Sequence, residues 1–99
     1  MSVAYFHEWP GVTSEMAQGV QGRINAQTGD APPEGGIFHA DGESDGNWWG
    51  FDVWESEDAA QRFFDEIIGP ALDAQGIPRS QPRLLPIHWQ SLEAPTTAG

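Results

Sequence analysis

The pattern of apolar and polar positions along the chain predicts four strands separated by two helices. Apolar side chains recur at every second residue in the strand segments, as they do when successive side chains point to opposite faces of a sheet. The predicted strands are residues 3–9, 35–40, 47–54 and 83–89. The last of these contains Pro86, which has no backbone N–H to donate, so we expect it at an edge of the sheet.

Two segments with helical spacing lie between the strands. Thr13 or Ser14 can cap the first helix, whose apolar residues recur every four positions. Its predicted buried face holds Met16, Val20 and Ile24. Ser56 is placed to cap the second helix, and we expect Gly69-Pro70 to interrupt it before a short further piece. Its predicted buried face holds Ala59, Ala60, Phe63, Phe64, Ile67 and Ile68.

The order of these elements, β-α-β-β-α-β, is that of a ferredoxin-like α+β domain. Such a domain has a four-stranded antiparallel sheet with two helices on one face. Residues 28–34 contain glycine and two prolines and predict a loop, and residues 41–46 predict a polar hairpin connection of more than two residues. We expect a single domain over residues 1–89, followed by a loose tail over residues 90–99.

The third strand is apolar on both faces, and this pattern is informative about the oligomeric state. Trp48 and Trp54 fall on one face, whereas Trp49, Phe51 and Val53 fall on the other. A sheet that is apolar on both sides needs a cover on each side, and the two helices can cover only one. We therefore expect a homodimer in which the sheet of a second copy covers the other face.

Composition and charge narrow the classes of partner. The 99-residue chain has 15 acidic and four basic residues and a formal net charge of −11, which disfavours nucleic acid and anionic membrane surfaces as partners. No apolar run approaches the length of a membrane span, and the first residues show no signal-peptide pattern. The chain has no cysteine, so there is no disulfide framework. We expect a cytoplasmic protein.

The clearest resemblance to a known family lies in Val53-Trp54-Glu55-Ser56-Glu57-Asp58-Ala59, followed by Phe63-Phe64. This segment resembles the strand-to-helix signature of the dimeric α/β-barrel superfamily, in particular its antibiotic-biosynthesis-monooxygenase-like proteins. The first strand-to-helix junction of small uncharacterised actinobacterial members is similar to His7-Glu8-Trp9-Pro10-Gly11-Val12-Thr13. The resemblance covers residues 3–89 in element order. It implies functions from cofactor-free oxygenation of polycyclic aromatic polyketides to haem degradation, decarboxylation, cyclisation and isomerisation.

The haem-degrading branch of this superfamily fits the chain poorly. Trp54 matches the position of the catalytic tryptophan that the resemblance implies for that branch. The branch also carries an iron-ligating histidine in the following helix, and residues 56–74 contain no histidine. Its first-strand asparagine has no match in residues 2–9. Ordinary haem degradation is therefore not expected, and we predict neither a metal nor an organic cofactor.

Two histidines and one aspartate are the candidate catalytic residues. His7 and His39 fall on predicted strands, and an imidazole, whose unperturbed pKa is about 6.5, can carry protons at neutral pH. Asp52 lies on the apolar third strand and needs a partner there: an arginine, Arg62 or Arg23, or a histidine that it would orient. The alternative for each histidine is a structural hydrogen bond. No serine stands in a nucleophile elbow.

Aromatic residues on the strands are the candidate ligand contacts. They can line a pocket for a flat apolar molecule, or fill the core and a dimer interface. The candidates are Trp54, Trp48, Trp49, Phe38 and Tyr5. Two functions follow from the sequence. One is a small homodimeric, cofactor-independent enzyme acting by oxygenation, cyclisation or isomerisation on an aromatic or polyketide-like molecule; the other is a non-catalytic ligand-binding or accessory module.

Overall fold

A computed structural model describes residues 2–91 and shows a four-stranded antiparallel sheet with helices on one face. The strands are β1 (Val3–Pro10), β2 (Gly36–Ser44), β3 (Asn47–Trp54) and β4 (Arg83–Pro86). The helical elements are α1 (Ser14–Thr28), α2 (Glu57–Phe63), a π-helical segment (Phe64–Ile68) and α3 (Gly69–Ala74). The strands lie in the order β2-β3-β1-β4. The predicted ferredoxin-like α+β fold is confirmed. Most of the tail predicted over residues 90–99 lies outside the described residues.

Both predicted helix starts are confirmed by their hydrogen bonds. The Thr13 side chain accepts a bond from the backbone N–H of Met16, at 3.2 Å. The Ser56 side chain accepts one from the backbone N–H of Ala59, at 3.1 Å. Each bond satisfies an N–H that has no partner inside its own helix, which is why serine and threonine favour these positions.

The hairpin between β2 and β3 is tighter than the sequence predicts. Residues 41–44 continue β2 and pair with β3 as far as Ser44 opposite Asn47. Only Asp45 and Gly46 form the turn, with φ angles of 53° and 79°. Two successive positive φ angles are typical of the two-residue turn that matches the twist of a hairpin. The predicted long connection was therefore wrong, because the polar residues of this segment are held by the ladder.

The helical segment after β3 continues through Gly69-Pro70, so the predicted interruption was wrong, whereas the predicted short further helical piece is confirmed as α3 (Gly69–Ala74). Gly69 has helical angles, φ −55° and ψ −53°, and its N–H donates to the carbonyl of Phe64 five residues earlier. Pro70 is tolerated at the start of α3 because the wider π-helical turn before it has already shifted the hydrogen-bond pattern. Single π-helical turns of this kind are frequent at functional sites.

The last strand is shorter than predicted. β4 ends at Pro86 and pairs only with β1, so the predicted edge position is confirmed. His88 and Trp89 follow the strand instead of belonging to it, and Trp89 is 78% exposed. Pro86 cannot donate to a ladder, which explains why the pairing stops there.

The core lies between the helices and one face of the sheet, in two clusters. The first contains Val12, Val20, Ala71, Leu72 and Ile77. The second contains Val3, Trp54, Ala59 and Ala60. Ile24 packs partly buried against the first cluster, as predicted, but Met16 is 38% exposed, so its predicted burial was wrong.

The other face of the sheet carries apolar side chains without a helix over them. Phe38 is 45% exposed there and contacts Phe51 edge-on, with ring centroids 6.4 Å apart. Trp49 and Val53 lie two residues before and two residues after Phe51 on β3, so they share this outer face. Within residues 2–91, no helix is long and apolar enough to cross a membrane.

Candidate functional site

Asp52 lies at the centre of the candidate site, on the face of β3 that the helices cover. Its register partners are Tyr5 on β1 and His39 on β2. The residue is only 8% exposed. A carboxylate at such a position is costly unless hydrogen bonds replace its lost hydration.

Three donors supply those hydrogen bonds to the Asp52 carboxylate. His39 Nδ1 lies 3.1 Å from Oδ1, and His7 Nε2 lies 3.2 Å from Oδ2. Trp54 Nε1 donates to Oδ2 as well, at 3.2 Å. Because an ionised carboxylate only accepts, both imidazole nitrogens that face it carry hydrogen. Asp52 thus bridges two histidines from the strands on either side of it.

The same contacts set the protonation of Asp52. Burial raises the pKa of its carboxyl. The hydrogen bonds from His39, His7 and Trp54, led by that of His39, outweigh burial and hold the pKa of the carboxyl below its ordinary value of 3.8. Asp52 is therefore ionised throughout the neutral range.

His39 lies at the mouth of the site between two carboxylates. Its Nδ1 faces Asp52, its Nε2 lies 3.2 Å from Oδ2 of Asp41, and its side chain is 56% exposed. The hydrogen bond to Asp52 raises the pKa of His39, burial opposes it, and the bond to Asp41 adds to the rise. Because both carboxylates accept hydrogen bonds, the arrangement favours the doubly protonated ring of His39. For the same reason a neutral His39 ring is a strong proton acceptor.

His7 lies deeper and is held on every side. It is 5% exposed and stacks on Trp9 and Phe64, with ring planes within 4° and 5° of parallel. Its Nδ1 lies 2.8 Å from the hydroxyl oxygen of Ser80. Since Nε2–H points at Asp52, a neutral His7 ring accepts the Ser80 hydroxyl hydrogen at Nδ1.

Three cavities meet at Asp52. A narrow one of about 80 Å³ is bordered by His7, Trp9, Trp48 and His39. A cleft of about 390 Å³ between α1 and β2 is bordered by Ile24, Pro33, Phe38, His39 and Trp54. A third, of about 260 Å³, lies on the other side of His7. The cleft has the volume of a small-molecule site, whereas the narrow cavity admits only a few small molecules such as water.

The structure separates the predicted site residues into three groups. His7, His39 and Asp52 meet directly, and Trp54 donates to the same carboxylate. Trp48 borders the narrow cavity, Tyr5 borders the third cavity, and Phe38 borders the cleft. Trp49 lies on the outer face of the sheet and borders none of these three cavities.

The expected arginine partner of Asp52 is replaced by histidines. Within residues 2–91 the ion pairs of Asp52 are with His7 and His39, and Arg23 donates to Gln75 instead. The prediction of an arginine partner, Arg62 or Arg23, was therefore wrong, whereas the alternative of a contact between Asp52 and His39 is confirmed.

Ser80, Asp41 and Trp9 belong to the site without having been predicted in it. Asp41 follows His39 by two residues and so shares its strand face, a signal that the sequence contains. Ser80 is 73 residues from His7, and no local pattern relates the two. Trp9 has a buried indole N–H without a hydrogen-bond partner in the described chain, which leaves a donor available to a ligand oxygen.

The cluster of His7, His39 and Asp52 does not have the arrangement of a metal site. Among residues 2–91, no group of three or more histidine or acidic side chains is arranged to hold a metal ion. The two imidazoles each hydrogen-bond the Asp52 carboxylate and do not converge on a shared point where a metal ion could sit.

Solved structures of other proteins share the fold. The chain superposes on SnoaB, a cofactor-independent oxygenase from Streptomyces nogalater, with a TM-score of 0.64 and 20% identity, over 91% of this chain and 96% of that one. A candidate antibiotic biosynthesis monooxygenase from Chloroflexus aurantiacus gives a TM-score of 0.61 and 10% identity, over 92% and 98%. NE2512, a protein of unknown function from Nitrosomonas europaea, gives 0.61 and 15%, over 96% and 95%.

At these identities the comparisons establish the fold and not the activity. The predicted resemblance to antibiotic-biosynthesis-monooxygenase-like proteins is confirmed as a likeness of fold. No protein-family model matches the chain, and no curated protein sequence matches it significantly.

Proposed function

We propose that the chain is a small homodimeric monooxygenase-like enzyme that acts without a cofactor on an aromatic or polyketide-like molecule. The observation that carries this proposal is the bridge from Asp52 to His39 at the edge of an apolar cleft. His39 is the proton acceptor, and Asp52 is the positioning residue that orients its ring. A buried carboxylate that fixes an exposed imidazole is the arrangement of general-base catalysis.

The chemistry begins with removal of a proton from an acidic carbon beside a carbonyl. Neutral His39 keeps Nδ1–H on Asp52 and takes the proton at Nε2, and the two flanking carboxylates stabilise the imidazolium. The carbon retains the electron pair as an enolate. Oxygenation, cyclisation and isomerisation can all start from this step. His39 is the base in each of the three reactions.

For oxygenation the remaining steps balance without a cofactor. The enolate carbon bonds to dioxygen, which is reduced to a peroxide, and the proton held by His39 passes to the peroxide oxygen. Loss of the second hydrogen of the carbon as a proton, with cleavage of the O–O bond, releases water and leaves a carbonyl. One CH₂ group and one dioxygen thus give one C=O group and one water.

The walls of the cleft suit a flat substrate. Trp54 and Phe63 border it together with Ile24 and Pro33. Aromatic side chains hold planar ligands by stacking and by burial of apolar area. The volume of about 390 Å³ falls within the range of small-molecule pockets.

Dimerisation is the second part of the proposal. The outer face of the sheet presents Phe38 and Phe51, which the helices of the same chain do not cover. Pairing this face with its copy would bury it, as expected for a self-complementary interface.

The test uses anthrone, a tricyclic aromatic ketone with an acidic CH₂ group. Binding is followed by tryptophan fluorescence and turnover by oxygen consumption. We expect His39→Gln to lower kcat by about 100-fold with little change in binding. His88→Gln, at an exposed position after β4, is the matched control and keeps the parent rate.

Other outcomes of this test are equally informative. Binding of aromatic ketones without any oxygen consumption or rearrangement would contradict the enzyme and support a non-catalytic binding module. If His39→Gln turns over at the parent rate, the base is not His39. In an active enzyme, kcat/KM rises with pH through the raised pKa of His39.

A further inference from the structure

Ser80, His7 and Asp52 form one line of hydrogen bonds, separate from the contact between His39 and Asp52. The Ser80 hydroxyl oxygen lies 2.8 Å from Nδ1 of His7, and Nε2 of His7 lies 3.2 Å from Oδ2 of Asp52. A hydroxyl, an imidazole and a carboxylate in this order are the parts of an activated nucleophile, recognised by their roles and not by their order in the chain.

The direction of each hydrogen bond follows from the carboxylate. Asp52 can only accept, so Nε2 of His7 carries hydrogen and Nδ1 of the neutral ring has a free lone pair. Ser80 therefore donates its hydroxyl hydrogen to His7, which is the direction needed for a base to take that proton. His7 and Asp52 are 5% and 8% exposed, so water competes little for either contact.

The His7 ring is fixed in the orientation that this line requires. It stacks on Trp9 with centroids 5.3 Å apart and on Phe64 with centroids 5.9 Å apart. A base held by packing needs little rearrangement before it accepts a proton, which is the advantage of a preorganised site.

Ser80 itself is half-buried and borders the third cavity, of about 260 Å³. The same cavity is bordered by Tyr5, Gln61 and Arg79. A space of this size admits a short acyl ester next to the hydroxyl. Arg79 also borders this cavity, and its guanidinium donates to both carboxylate oxygens of Asp73, at 3.2 and 2.7 Å, so its charge is already paired.

We propose that Ser80 is the nucleophile of a second activity, the transfer of a short acyl group from an activated ester to Ser80 and then to water. This activity goes beyond the proton transfer assigned to His39, and it uses a different cavity and a different base. In it His7 is the general base, and Asp52 positions His7.

The steps of the proposed reaction balance. The Ser80 oxygen bonds to the carbonyl carbon while its proton moves to Nδ1 of His7; the bond to the leaving oxygen breaks, and that oxygen takes the proton from His7. Water then repeats the sequence on acyl-Ser80, with its proton passing through His7 to the Ser80 oxygen. The net reaction converts one ester and one water into one acid and one alcohol.

The test uses p-nitrophenyl acetate with the full chain. We expect release of p-nitrophenolate, and peptide mass spectrometry at early times to find an acetyl group on Ser80. Ser80→Ala and His7→Gln should each lower the rate by about 100-fold or more. Ser44→Ala, at an exposed serine where β2 ends, is the matched control and keeps the parent rate.

Covalent labelling of the parent protein tests the role of Ser80 even if a substituted variant fails to fold. Diisopropyl fluorophosphate, which forms a bond from the serine oxygen to phosphorus and releases fluoride, should label Ser80 and no other serine. Steady hydrolysis that is lost in Ser80→Ala also supports the proposal. Acetylation of another residue, such as an exposed histidine, with Ser80 unmodified would overturn it, as would equal rates for Ser80→Ala and the parent. Oxygen consumption with anthrone is measured separately, so either activity can fail alone.

Discussion

His39 and Asp52 are direct partners across the β2–β3 ladder, and their side chains meet with Nδ1 3.1 Å from Oδ1. Paired positions of an antiparallel ladder hold side chains on the same face at a nearly fixed separation. The geometry of this contact is therefore set by backbone pairing and not by a loop. His7 reaches the same carboxylate from β1, so two rigid strands fix both imidazoles relative to one acid.

The protonation of His39 depends chiefly on Asp52. We expect Asp52→Asn to lower the pKa of His39 towards its ordinary value of 6.5, because the largest contribution to the rise is the hydrogen bond to this carboxylate. Asp41→Asn should lower the pKa by less, since its contribution is smaller. Titration of the imidazole proton signals by NMR measures both shifts. Equal shifts in the two variants would contradict the order of the two contacts.

Much of the fold could be predicted because its signals are local. The caps at Thr13 and Ser56 and the alternation along β3 each depend on a few neighbouring residues. The error in the hairpin arose because strand pairing overrides local polarity. Residues 41–44 are polar and contain glycine, yet the ladder with β3 holds them in a strand.

The site could be predicted only in part because the sequence of one strand does not determine its register with a neighbouring strand. Asp52 was recognised as an acid in need of a partner, but arginine and histidine were both open until the pairing of β2 with β3 placed His39 opposite it. The contact between His7 and Ser80 joins residues 73 positions apart through a loop. Nothing in the spacing of either residue indicates that contact.

Homodimerisation by the outer face of the sheet predicts a specific pair of disruptive substitutions. Phe38→Glu and Phe51→Glu should each weaken self-association by about 30-fold, the effect of losing a buried aromatic contact in an interface. Sedimentation velocity over a range of concentrations measures the change. Met16→Glu is the control, since Met16 is also an exposed large apolar residue but lies on α1, on the other side of the sheet. A parent chain that stays monomeric at micromolar concentration would rule out this interface.

Two glycines should respond to alanine in opposite directions. Gly46 has a φ of 79° in the hairpin turn, where alanine is strained, so Gly46→Ala should lower the free energy of unfolding by about 1–2 kcal/mol. Gly22 lies inside α1 with open space where a Cβ would stand, so Gly22→Ala should raise it by about 0.5–1 kcal/mol. Urea denaturation measures both. A loss of stability in Gly22→Ala would show that its position is not free of contacts.

The stability of the protein should fall in acid partly through Asp52. The folded-state pKa of this carboxyl lies below its ordinary value of 3.8, so ionised Asp52 stabilises the folded state above that value, and the contribution is lost as pH falls through the lower folded-state pKa. The contribution of His39 to the stability has the opposite pH dependence. Its raised pKa contributes stability below 6.5 that is lost as pH rises through the folded-state value.

Asp52→Asn separates these effects from those of the other acids. The variant should lose about 1–3 kcal/mol at neutral pH, because buried donors of His7 and Trp54 then face an amide in place of a carboxylate. Its unfolding free energy should also fall less than that of the parent between about pH 5 and pH 2, since the titrating group is gone. Urea denaturation at a series of pH values measures both curves, with Glu43→Gln on the exposed surface of β2 as the control that follows the parent. Parallel curves for Asp52→Asn and the parent would show that the pKa of Asp52 is not lowered by folding.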